Sequence, residues 1–143
     1  MKKLLILPVL AMALFACNMA SDEDYKNMAQ DVCDCINKSA GGVSDKGMDI
    51  ILDSGGDQQK IMDGFQSYAM EDMAGATADM QAFEKFGSEA GTCIENLKDK
   101  YDDVYTSDNE EEVQDKMLEA MKGLKGCGDS YKLLDMSLKM MRK

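Results

Sequence analysis

The sequence predicts an all-α fold, a disulfide-clamped bundle of four to five helices, on three observations. The only proline is Pro8, so nothing after residue 16 interrupts a long helix by that route. Aromatic and β-branched residues are sparse, while Ala, Met, Leu, Lys, Glu and Asp, all but the last good helix formers, are plentiful. Apolar residues recur at spacings of three and four, and no strand or hairpin pattern interrupts them.

The first helix is expected over about 22–40, with Ser21 as its cap and Asp22, Glu23 and Asp24 in its first turn. Tyr25, Met28, Ala29, Val32, Cys35, Ile36 and Ala40 then share one apolar arc, and Cys33 stands at its other edge. Cys33 and Cys35 point roughly 200° apart on a helix. They do not join each other without unwinding it, so each reaches a different neighbour.

Residues 41–44 read as a loop, and Met48, Ile51 and Leu52 as a short helix ending at Ser54-Gly55-Gly56. Asp57 caps the next helix, with Ile61, Phe65, Tyr68 and Ala69 inward and an end blurred by Gly75 and the small residues 74–78. A long segment over about 78–105 carries Met80, Phe83, Gly87, Ala90, Ile94, Leu97 and Tyr101 on one face, with Cys93 at its edge. Gly87 and Gly91 cost helix propensity there and are read as allowing a close helix approach.

Residues 106–109 break the pattern, and Glu110-Glu111-Glu112 opens the last region. Val113, Met117, Ala120, Leu124, Cys127, Tyr131, Leu134, Leu138 and Met141 keep one stripe to the end. Gly126-Cys127-Gly128 predicts a break, with a final helix from about 129.

Composition narrows the function. The chain has no histidine, which removes imidazole acid–base chemistry and His-based metal sites. Its net charge is −11, and loss of residues 1–16, which hold Lys2, Lys3 and no acid, takes it to −13. Such a surface repels nucleic acid and anionic headgroups, so no nucleic-acid partner is expected. The acid runs at 102–103, 108–112 and 53–57 lack the ligand spacing of a calcium loop. No metal site, other cofactor or catalytic residue is expected from them.

The run Met1-Lys2-Lys3-Leu4 through Leu14-Phe15-Ala16-Cys17 has the charge, apolar stretch and small-residue end of a secretory signal. Leu14-Phe15-Ala16-Cys17 resembles the lipobox of bacterial lipoproteins, with Phe15 departing from the usual small or branched residue. The resemblance implies removal of residues 1–16, a diacylglycerol thioether on Cys17 and an acylated amino terminus, as with palmitate. Residues 17–21 then form a lipidated acidic tether and 22–143 a single helical domain. The acidic Ser21-Asp22-Glu23-Asp24 is similar to the surface-export signals of Bacteroidota lipoproteins. That resemblance implies a cell envelope location, on the outer membrane, with membrane attachment through the lipid at Cys17. The alternative is a soluble exported chain cut nearby.

Four further cysteines in an exported chain predict two structural disulfides among Cys33, Cys35, Cys93 and Cys127. Cys33–Cys93 with Cys35–Cys127, or the same set with partners exchanged, both fit. The leading function is a non-catalytic binding or structural module. One alternative is a thiol–disulfide oxidoreductase using the Cys-X-Cys pair, although Asp34 raises rather than lowers a neighbouring thiol pKa. A second is a soft-metal protein that binds Cu(I) through Met70/Met73, Met117/Met121 and Met136/Met140/Met141. Against it, flexible methionines are common core fillers. On the last helix, Leu133, Met136 and Met140 stand beside the core stripe as a surplus apolar side. They are a candidate surface for a protein partner or self-association, unless that helix has neighbours on both flanks.

Overall fold

Six α-helices follow one another in the computed structural model, which describes residues 20–104 and 110–141. They are α1 (Asp22–Ala40), α2 (Asp45–Ser54), α3 (Gln58–Glu71), α4 (Met73–Lys100), α5 (Glu110–Lys122) and α6 (Gly128–Met141). The all-α, two-bridge architecture matches the expectation, and the helix count of four to five is corrected to six. Cys17, the signal-like residues 1–16 and the start of the tether lie outside the described residues.

Local chemistry sets the helix ends. The Ser21 hydroxyl accepts from the Asp24 N–H (3.2 Å), and the Asp24 carboxylate accepts from the Ser21 N–H (2.8 Å). This reciprocal box satisfies two donors at the start of α1. Hydrogen bonds from the Ser21 side chain and backbone hold the Asp24 carboxyl below its ordinary range. Gly55 ends α2 with φ +60°, a left-handed cap that a side chain would strain. Asp57 caps α3 through the N–H groups of Gln59 (2.9 Å) and Lys60 (3.2 Å).

The long fourth helix starts at Met73, earlier than the glycine and alanine pattern predicts. Asp72 both ends α3 and caps α4, accepting from the Gly75 N–H at 3.0 Å. The small residues from Ala74 to Ala78 are therefore the opening turns of α4 and not a frayed end of α3. Gly75 is needed there, because a Cβ would meet the Tyr68 hydroxyl at 2.5 Å and crowd the Asp72 carboxylate. Ala76 is buried beside it.

α1 is the hub of the bundle. It packs on α4, α5 and α6, while α2 and α3 lie against α4 and each other, with α2 also touching α6. Met28, Ala29, Val32 and Ile36 of α1 meet Ile51, Phe65, Tyr68, Val113, Met121 and Leu133 in one core. Among the described residues, no buried side-chain nitrogen or oxygen lacks a hydrogen-bond partner.

Candidate functional site

The four cysteines settle the pairing that the sequence left open. Cys33 joins Cys127 and Cys35 joins Cys93, with Cα–Cα distances of 5.6 and 5.7 Å. The two thiols at opposite edges of the α1 stripe thus tie it to α4 and to the segment leading into α6. The bridges span 94 and 58 residues, and loop-closure entropy values each at about 4 to 5 kcal/mol. Cys33 and Cys127 are fully buried. The Asn37 amide donates to the Gly126 carbonyl (3.1 Å), and the Ser130 hydroxyl donates to Asn37 (2.6 Å), so a polar clasp covers this bridge. Cys93 is half-buried and borders a surface cleft with Lys38, Ser88 and Thr92. The Cys-X-Cys pair is therefore divided between two different bridges.

The apolar sides of α6 divide differently from the expectation. Leu133 is buried in the core (6% exposed) and reaches the surface only where it lines a groove beside Met136 and Met140. Met141, placed on the core stripe by the pattern, is 70% exposed. The reason is the setting of α6. Its first turn is fastened by Cys127 and Ser130, and it touches α1, α5 and α2. Leu133 near that fastening is enclosed, Leu138 is still buried (5% exposed), and only the last turn around Met140 and Met141 opens to solvent. Met136 is half-buried and Met140 half-exposed, and both lie against Gly56 in the turn after α2. Met117 and Met121 are buried, and Met70 and Met73 are exposed, so the methionine sets of the copper reading are dispersed between core and surface.

The remaining α6 surface belongs to a groove. α4 and α6 both pack on α1, but their backbones do not approach each other closely. The gap between them holds about 430 Å³, floored by Ile36. Phe83, Phe86, Ala90 and Ile94 form the α4 wall, and Leu133, Leu134, Met136 and Met140 the α6 wall. The Phe83 and Phe86 rings stack with centroids 6.1 Å apart. Past Gly91, Ile94 and Leu134 the groove continues over Val32 for a further 380 Å³ or so, toward Met117 and Met141.

Gly87 and Gly91 mark where the gap is open. Both line it, and a Cβ added to either would meet nothing within 4 Å. The expected close approach to these glycines is thus not made by any described helix of this chain. Two glycines in a helix interior cost up to about 1 kcal/mol each relative to alanine, and no packing in the described chain requires them.

Charge at the groove is mainly acidic. Glu84 and Glu95 on its α4 rim are exposed and make no ion pair among the described residues. Lys98 is occupied by Glu110 at 3.3 Å. Behind α4, Asp31 accepts from Lys100 and from the Tyr101 hydroxyl, each at 2.5 Å. Burial opposes ionisation of Asp31, but these two donors and the lysine charge outweigh it and hold the carboxyl below its ordinary range. Burial first, and then the hydrogen bond and charge of Asp31, push the Tyr101 hydroxyl up. This cluster latches the end of α4 to α1.

The chain matches no protein-family model, and no curated protein or solved structure is significantly similar to it. Among the described residues no group of three Cys, Asp or Glu side chains is placed to hold a metal ion. The groove was only partly foreseen. Leu133, Met136 and Met140 were singled out and line it, whereas its α4 wall was read as core. The signal that marks it is the Gly87–Gly91 pair within the apolar stripe.

Proposed function

We propose that this chain is a lipid-anchored protein of a bacterial cell envelope, on the outer membrane, and that it acts as a non-catalytic binding module through the α4–α6 groove. The apolar gap lined by Gly87 and Gly91 carries the binding reading. Open apolar clefts with a few polar groups at the rim are where proteins take ligands.

The signal-like start and the Leu14-Phe15-Ala16-Cys17 tail support the anchoring. The capped start of α1 at Ser21 lies only four residues beyond Cys17. Fully extended, that tether reaches about 14 Å, so an anchored domain rides close to the bilayer. No described helix is long and apolar enough to cross a membrane, so attachment rests on the lipid. Several acyl chains suffice, at about 0.8 kcal/mol per buried CH₂.

Two measurements test this reading. The intact mass of the exported chain should equal residues 17–143 plus acyl groups, and Cys17→Ala should release it from membranes; an unmodified mass would remove the anchor. An uncharged naphthylamine dye should brighten on the wild-type chain and lose at least tenfold in affinity on Gly91→Leu. Equal binding to both would remove the groove.

A further inference from the structure

The reading of α4–α6 as a binding groove leaves its occupant open, and we infer that it is one helix of a basic, amphipathic protein partner. The shape selects a helix. From Phe83 to Lys98 the α4 wall runs about 22 Å, or four helical turns. Gly87 and Gly91 stand one turn apart on that wall with empty space above them. This is the spacing at which small residues let a second helix backbone come close. Met136 and Met140 opposite are flexible thioethers that re-pack around a bulky apolar face.

Charge selects a cationic partner. Glu84 and Glu95 flank the glycines and make no ion pair among the described residues, and Lys98 is already paired with Glu110. The whole chain carries −11. A second copy of the chain would bring the same negative rim against itself. A fatty acid or an anionic headgroup meets the same repulsion. A helix with lysines beside its apolar face matches both the walls and the rim, which is the helix-in-groove mode of recognition.

The test uses residues 17–143 with Cys17→Ser and both bridges formed. The probe is an 18-residue helical peptide, leucine and alanine on one face and lysine on the other, with a glutamate-for-lysine control. The lysine peptide should bind and displace the naphthylamine dye. Gly91→Leu should weaken it at least tenfold. Met140→Lys, an exposed change that leaves the fold intact, should weaken it at least threefold. Reversing the rim with Glu84→Lys and Glu95→Lys should cost a similar factor at 0.15 M salt and less at 0.5 M, as screening removes the attraction. If the dye enters the groove and Gly91→Leu expels it, yet the lysine peptide binds no better than the glutamate control, the basic-helix occupant is overturned while the groove survives. Displacement by palmitate, or self-association lost in Gly91→Leu, would overturn it in favour of a lipid or a second copy. A dye indifferent to Gly91→Leu would overturn the groove reading itself.

Discussion

Gly91 occupies a helix-interior position where alanine would be the more stable choice. Nothing lies within 4 Å of the Cβ it lacks, so Gly91→Ala adds helix propensity without a clash. It should stabilise the chain by up to about 1 kcal/mol, or roughly 3 to 5 °C in Tm, in thermal and urea unfolding. A loss of stability would mean that part of the chain does pack there. Asp31 makes a second prediction at this scale. Its folded pKa lies below its unfolded value, so its contribution is present above about pH 4 and disappears as pH falls through the lower, folded value. Asp31→Asn should therefore cost on the order of 1 kcal/mol at pH 7, given partial exposure, and less at an acid pH where the carboxyl is protonated in both states. Equal losses in urea melts at both pH values would exclude this account. Single residues were legible in the sequence where their role is local. Ser21 and Asp57 cap the helices they precede, because capping depends on residues two or three positions away. Met141 was misplaced, and the depth of Leu133 not foreseen, because burial along α6 depends on how its neighbours are set around it, which no periodicity encodes. Gly87 and Gly91 were visible as a cost, but whether a helix fills the space above them is decided by two elements that share no sequence neighbourhood.

Helix α2 shows how an element can depend on a distant side chain. Its cap, Ser44, presents its N–H to the Asp79 carboxylate of α4 at 2.8 Å, and its hydroxyl donates to the same group. Asp79 is 3% exposed, and its removal breaks both hydrogen bonds that fix the Ser44 cap. Asp79→Ala should cost about 1 to 3 kcal/mol and speed hydrogen exchange through α2 and α3 more than through α1. Asp79→Asn, which keeps one carbonyl acceptor, should cost less. Uniform acceleration across all helices would deny α2 this local dependence. The pairing of Ser44 with Asp79, 35 residues away, has no sequence signature, whereas the bounds of α1 were read closely from a cap, a stripe and a double glycine. The start of α4 was misread for a physical reason. Gly75 looks like a terminator, but here it is the residue that lets Tyr68 and Asp72 close over the α3–α4 corner. Short α2 and the abutting α3 and α4 bring the number of helices to six.

At the level of the whole molecule, the two bridges radiate from α1 but are not equally protected. Sequence spacing showed that Cys33 and Cys35 need separate partners. It did not show which one α4 takes, because the order of helices around α1 is a tertiary property. With the order known, accessibility ranks the bridges. Cys33–Cys127 is sealed under the Asn37–Ser130 clasp, with both cysteines fully buried. Cys35–Cys93 borders a cleft of about 440 Å³ at the half-buried Cys93, and exchange depends on such access. Mild reductant on the native chain should therefore open Cys35–Cys93 first and leave a one-bridge species. In that species α6 stays tied to α1 through Cys127, while α4 keeps its packing on α1 and the Asp31 latch but no covalent tie. Because α4 forms one wall of the groove, dye affinity should fall in the one-bridge species before global unfolding begins. Peptide mapping of alkylated thiols during reduction, with dye fluorescence followed in parallel, checks both steps. Simultaneous labelling of all four cysteines would mean that the bridges open only when the bundle unfolds as a unit. Unchanged dye binding after selective opening would mean that α1 packing alone sets the width of the groove.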